Sequence, residues 1–156
     1  MKKSEVFKLI QNIEDPVKDG DKILSNLHYT HFFMMDSYKK LLLSYDLTFT
    51  QANVLGIVNY FSPNSATLEE VKEMVLESNS DVSRTITRLA EKGFVEKMIN
   101  KENRRKVSIK VTPKGQKTIK KIDQDGSFKR FTQTISLPEA KTFVKVLGKL
   151  RESTLL

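Results

Sequence analysis

The sequence predicts a mainly α-helical chain with one small β-hairpin, and with longer helical segments at both ends. Three observations carry this. Apolar residues recur at helical spacing through most of the 156 residues, and the period switches to two only between Phe94 and Thr112. Hydroxyl-x-x-Glu/Gln boxes recur at Thr48–Gln51, Thr67–Glu70 and Ser136–Glu139, each able to satisfy free N–H groups at a helix start. Gly93 and Pro113 stand where one helix should stop and another begin.

Taken in order, Met1 to Ile13 is a short amphipathic stretch with Val6, Phe7, Leu9, Ile10 and Ile13. Asp15-Pro16 and Asp19-Gly20 break it. Asp21 to Tyr45 reads as one long helix, with Ile23, Leu24, Leu27, Phe32, Met34, Met35, Leu41 and Leu42 and no Pro or Gly. The Thr48 box opens a helix running to about Phe61, and 62–65 is a loop. The Thr67 box opens a short helix with Leu68, Val71, Met74 and Val75. A third helix starts within 78–81 and runs to Lys92, where Gly93 ends it. Phe94 to Ile99 is a strand, 100–105 a polar turn, and Lys106 to Thr112 a half-buried strand with Val107, Ile109 and Val111 on one face. Thr112-Pro113 starts the next helix, with Ile119, Ile122, Phe128 and Phe131 as its apolar positions and Gly126 as a point of bending. The Ser136 box starts a last helix carrying Ala140, Phe143, Val144, Leu147 and Leu150.

Composition narrows the functional classes. With no cysteine, the chain has no disulfides, thiolate metal sites, cysteine nucleophile or thiol redox sensor. It has no signal-peptide pattern at its start, and no run approaches the ~18 apolar residues of a membrane span, so a cytoplasmic protein without membrane attachment is expected. Phosphate-loop, dinucleotide-loop, metalloprotease and nucleophile-elbow motifs are missing, and no enzyme activity or cofactor is expected. Hydrophobic residues are 38% and charged residues 29%, which fits helical arms that bury surface by dimerising.

The net charge of +8 is concentrated in one place. From Val82 to Lys121 there are thirteen basic residues against three acidic, a net of +10, so the rest of the chain sums to −2. Four of the six arginines (Arg84, Arg88, Arg104, Arg105) lie there. A confined basic segment rich in arginine is the electrostatic footprint of a polyanion site, the alternative being a solvated basic face.

Around the helix ending at Lys92, Val82, Ile86 and Leu89 form an apolar stripe. Ser80, Ser83, Arg84, Thr87 and Glu91 fall opposite, with Arg88 on the flank. Short polar side chains let a backbone approach the floor of the DNA major groove while arginine reaches base edges. A short helix, a turn and this helix make a helix-turn-helix, and the basic hairpin tip that follows can reach the minor groove or phosphates. The expected DNA contacts are Ser80, Ser83, Arg84, Thr87, Arg88 and Lys92 on the helix, and Lys101, Arg104, Arg105 and Lys106 on the wing. Lys110 and Lys114 add phosphate attraction.

The strings Ser80-Asp-Val-Ser-Arg84-Thr-Ile-Thr-Arg88-Leu-Ala-Glu-Lys-Gly93-Phe-Val95 and Asn103-Arg-Arg105-Lys-Val-Ser-Ile-Lys-Val-Thr112-Pro-Lys-Gly115 resemble the MarR family of bacterial winged-helix regulators. Leu47-Thr48 with Gln51 and Leu55, and Leu137-Pro-Glu139, are similar to flanking parts of that family. The resemblance implies a winged helix-turn-helix at 47–112, with dimerisation helices at 1–46 and 113–156. It also implies a homodimer on double-stranded DNA carrying a pseudo-palindromic operator; a repressor is expected, with an activator as the alternative. Where the family's wing has an acidic residue two before its arginine, this chain has Asn103 before Arg105, with Glu102 as the alternative brace.

The resemblance also implies a small aromatic or lipophilic effector, since many relatives in that family respond to such ligands. Tyr29, Phe32, Phe33 and Met35 are the candidate pocket, with ordinary core and interface packing as the alternative. His28 and His31 at i and i+3 would give a metal only two ligands and are read as surface or interface residues. The other functional class is a winged-helix module for protein–protein assembly, or one binding nucleic acid without sequence preference.

Overall fold

The computed structural model describes residues 3–75, 81–99, 107–126 and 133–153. Its elements are α1 (Lys3–Gln11), α2 (Gly20–Leu43), α3 (Phe49–Tyr60), β1 (Ala66–Thr67), α4 (Leu68–Met74), α5 (Val82–Glu91), β2 (Val95–Ile99), β3 (Val107–Val111), α6 (Pro113–Gln124) and α7 (Leu137–Ser153). They fall into two compact units, Met1–Asp123 and Gln124–Leu156.

The helix starts are set by the boxes read from the sequence. Thr48 Oγ1 accepts the Gln51 N–H at 3.2 Å while Gln51 Oε1 accepts the Thr48 N–H at 3.1 Å. Thr67 and Glu70 make the same reciprocal pair at 3.2 and 2.7 Å. Glu139 reaches back to the Ser136 N–H at 2.7 Å. Because Glu70 and Glu139 accept these bonds as carboxylates, both are held below the ordinary glutamate pKa, mainly by Thr67 and by Ser136.

Helix ends are equally specified. Past α5, the Gly93 N–H bonds Ala90 O and the Phe94 N–H bonds Leu89 O, with Gly93 at φ 72°. This double closure needs a left-handed residue, and glycine adopts that conformation without steric cost. Past α2, Asp46 N–H to Leu43 O and Leu47 N–H to Leu42 O repeat the pattern, with Asp46 in the left-handed slot at φ 55°.

The sheet has strand order β1-β3-β2 and is antiparallel throughout. The sequence predicts only the β2–β3 hairpin; β1 is additional, pairing Ala66 with Ile109 and Thr67 with Ser108. Two residues are too short for alternation to show, and Thr67 already reads as a helix cap. The start of α5 also differs from the expected span: Asp81 caps it by accepting the Arg84 N–H at 2.9 Å, so the described helix begins at Val82. Phe128 and Phe131 lie outside the described residues, and the described part of α6 ends at Gln124, ahead of Gly126.

One core holds these elements together. Val54, Leu55 and Val58 of α3, Val71 of α4, Ile86 and Leu89 of α5 and Ile109 of β3 are fully buried or nearly so, joined by Leu42 from the end of α2. Each such side chain contributes roughly 1.5–3 kcal/mol by leaving water. The first part of α2 instead carries α1, through Phe7 packed on Tyr29 and Phe33 and through Asn26, which donates to Ile10 O. In the second unit, α7 leaves Leu137, Phe143, Val144 and Val146 exposed. No helix of the described residues is long and apolar enough to cross a membrane.

Candidate nucleic-acid interface

The stripe of Val82, Ile86 and Leu89 anchors α5 on the core, as its periodicity requires. The opposite side is left to solvent: Ser83, Arg84 and Arg88 are exposed and Thr87 half-buried. Among the described residues of α5, no bulky apolar side chain stands on that surface. The helix can therefore approach another macromolecule closely, with two guanidiniums one turn apart on its edge.

Those guanidiniums line an open polar cleft of about 270 Å³ between α5 and the start of α3, shared with Thr48, Thr50, Gln51, Asp81 and Thr85. The ion pairs among the described residues lie elsewhere and leave both arginines unpaired. Like charges at i and i+4 repel, so this placement works against helix stability and suits an anionic occupant. Thr50 and Thr85 are members of the cleft that the wheel analysis does not single out. Thr85 sits just off the exposed arc, and Thr50 comes from a different helix.

Thr87 is more committed than the sequence implies. Its hydroxyl donates to Ser83 O at 3.0 Å and accepts from Lys97 Nζ at 3.1 Å. The single hydroxyl proton is thus used within the helix, and only its methyl group and remaining lone pair face outward. Lys97 reaches it because position 97 pairs with Ile109 across the hairpin, on the sheet face that α5 covers.

Lys92, grouped by its charge with the DNA contacts, is also engaged inside the molecule. Its ammonium donates to Asp46 O at 2.5 Å, lies 3.1 Å from Asp46 Oδ1 and reaches Gln51 Oε1 at 3.4 Å. Lys114 sits over the Phe94 ring at 4.7 Å and donates to Lys92 O at 2.6 Å, capping the C-terminal end of α5. Lys110 is exposed on β3 opposite Glu96. Ser80 and the wing residues Lys101, Arg104, Arg105 and Lys106 lie outside the described residues, as do Glu102 and Asn103.

Of the aromatic cluster, Tyr29 and Phe32 line one open groove of about 480 Å³ with Leu24, Ser25 and His28. Phe33 turns to Phe7, 5.6 Å between ring centroids, and Met35 is half-buried and outside the groove lining. His28 and His31 are both exposed, and no group of three metal-ligating side chains forms among the described residues.

Solved structures share this architecture at low identity. A MarR-like regulator from Bacillus cereus superposes with TM-score 0.72 at 17% identity, covering 87% of this chain and 98% of that one. MepR of Staphylococcus aureus in complex with DNA gives 0.71 at 18%, covering 83% and 96%. At this identity the likeness establishes the fold, and the resemblance to MarR-type winged-helix regulators holds at that level. The regulator SarU of Staphylococcus aureus is 31% identical over 88 residues, which are 56% of this chain and 34% of SarU. The chain thus spans about a third of the length of the curated relatives it matches. The family described as transcriptional regulator SarA/Rot matches residues 36–122, from the second half of α2 to near the end of α6. The chain belongs to the SarA/Rot family of winged-helix transcriptional regulators.

Proposed function

We propose that this regulator binds double-stranded DNA sequence-specifically as a homodimeric repressor in the cytoplasm. The observation that carries the reading is the outer side of α5, where Arg84 and Arg88, without an ion-pair partner among the described residues, flank a surface of small polar side chains on a helix fixed by its buried stripe. Arg84 is assigned to base edges, Arg88 to bases or phosphates, Ser83 and the Thr87 methyl to close approach. Ser80, Lys101, Arg104, Arg105 and Lys106 are assigned to the DNA from their sequence positions. MepR, a protein of the same fold, is solved in complex with DNA, which supports DNA as the partner.

Dimerisation is assigned to 1–46 and 113–156. Leu24 and Phe32 on α2 and Leu137, Phe143 and Val144 on α7 are more than half exposed, an apolar load that a second copy would cover. Two recognition helices related by a two-fold axis would then read half-sites ~34 Å apart on a pseudo-palindromic operator. The groove at Leu24, His28, Tyr29 and Phe32 is assigned to a small aromatic or lipophilic effector, its volume being in the range of small-molecule sites.

The test is fluorescence anisotropy titration against the duplex upstream of its own gene, with a scrambled competitor at ~0.15 M salt. Tight binding by two chains that resists the competitor is expected. Arg84→Ala should weaken specific binding by ~1–3 kcal/mol and non-specific binding by less. Equal weakening on all duplexes would make Arg84 a phosphate contact.

A further inference from the structure

Lys92 is the first residue past α5, and its contacts reach three other elements. Through Asp46 it touches the turn that ends α2; through Gln51, the capping box that starts α3; and its carbonyl receives Lys114 from the first turn of α6. Its ammonium donates to Asp46 O and Gln51 Oε1 and lies in ion-pair range of Asp46 Oδ1. Two of its three N–H donors are thus used inside the molecule, and the adjacent carboxylate offsets its charge. Asp46, in the left-handed region at φ 55°, meets the ammonium with both its carbonyl and its carboxylate.

We infer that Lys92 is a positioning residue that locks the end of the recognition helix to the α2–α3 corner. The inference rests on the DNA-binding reading above. The pair is a weak stabiliser, because Asp46 is 82% exposed and ion pairs in water contribute little to folding. Its consequence is geometric: beside the apolar core that Leu42 shares with Ile86 and Leu89, a short directional polar link ties the end of α2 to the end of α5. A tilt of α2, from a ligand in its groove or a change in subunit contact, would be passed on to the DNA-facing side in part by this link.

The experiment compares Lys92→Met, Lys92→Arg and Asp46→Asn with the wild-type chain. Binding is titrated against a duplex selected by the wild-type chain from a random pool and against a scrambled duplex, from 0.05 to 0.3 M salt. Asn keeps the tolerance of position 46 for a left-handed backbone, and helical circular dichroism confirms folding. A brace predicts that Lys92→Met and Asp46→Asn both lose about three- to tenfold affinity for the selected duplex, in the range of coupling mutations. Lys92→Arg should lose less. Binding to the scrambled duplex and the salt slope should be unchanged.

A phosphate contact predicts the opposite signature. Lys92→Met would weaken binding to both duplexes and flatten the salt slope by about one, while Asp46→Asn, by removing a negative charge, would strengthen binding. That outcome overturns the inference, as do variants indistinguishable from wild type. If Lys92→Met does not fold, Asp46→Asn decides by the sign of its effect. A wild-type chain with no preference for any duplex defeats the DNA-binding reading itself, whereas a preference unaltered in the variants defeats only the brace.

Discussion

Gly115 and Gly56 should respond to alanine in opposite directions. A Cβ on Gly115, in the first turn of α6, would lie 2.3 Å from Phe94 O, 2.8 Å from Val111 Cγ2 and 3.3 Å from Phe94 C. Ordinary carbon contacts are about 3.5–4.0 Å, so something must move by about 1 Å. The valine methyl can give way, but the carbonyl cannot easily: it accepts the Thr112 N–H at 3.0 Å and the Thr112 hydroxyl at 3.1 Å, and Phe94 itself is buried. Overpacking of this kind costs about 1–3 kcal/mol, and a backbone obstacle belongs at the upper end. Alanine regains about 1 kcal/mol through helix propensity. The net loss is about 2 kcal/mol, or a Tm about 4–8 °C lower for a chain of this size. Gly56, in the middle of α3, has nothing within 4 Å of its would-be Cβ, so the propensity gain should act alone and raise Tm by about 2–4 °C. Thermal unfolding of both variants and the wild type at one fixed protein concentration checks this, since dimerisation would make Tm concentration-dependent. A Gly115→Ala protein melting at or above wild type would refute the contact geometry at the α6–hairpin junction.

Other outcomes follow from the caps, the charge and the exposed faces. Glu70 and Glu139 titrate below the ordinary glutamate value of 4.5 when folded, so their caps stabilise fully above that value and lose this contribution as pH falls through the folded pKa. Tm measured between about pH 6 and 3 should fall less steeply in Glu70→Gln than in wild type, and parallel curves would remove Glu70 from the acid response. DNA affinity should drop by about a hundredfold or more between 0.05 and 0.2 M salt, because each neutralised phosphate releases counterions; a flat response would leave the +10 segment without a polyanion partner. Light scattering should return twice the 17.9 kDa chain mass for wild type and less for Phe143→Glu, and a monomeric wild type would remove the dimer.

What was legible in the sequence divides by range of interaction. Capping at Thr48, Thr67 and Ser136, the stop at Gly93 and the start at Pro113 are set by residues three or four apart, and the structure places them as read. The stripe of Val82, Ile86 and Leu89 was equally plain, because helical periodicity records which side is buried. The strand at Ala66–Thr67 was hidden because its partner, Ile109 and Ser108, lies more than forty residues away and two residues carry no pattern. Thr50 in the arginine cleft was hidden for the same reason, being brought to α5 by packing alone.

Charge was the least legible quantity. Counted along the chain, Lys92, Lys97 and Lys114 add equally to a basic segment that looks built for a polyanion. In the folded chain Lys97 fixes the Thr87 hydroxyl, Lys114 caps α5, and Lys92 spends its donors on Asp46 and Gln51. Arg84 and Arg88 alone on this helix keep guanidiniums that pair with nothing described. A lysine stem is flexible enough to fold its single ammonium back onto nearby carbonyls. The two arginines instead hold rigid forks at one helical edge, suited to planar acceptors such as guanine edges and phosphates. The basic segment therefore separates into cations that shape the helix-turn-helix and cations that project from it. Substituting the first group should change how well the second is aimed, with little change in the long-range attraction that brings DNA to the surface.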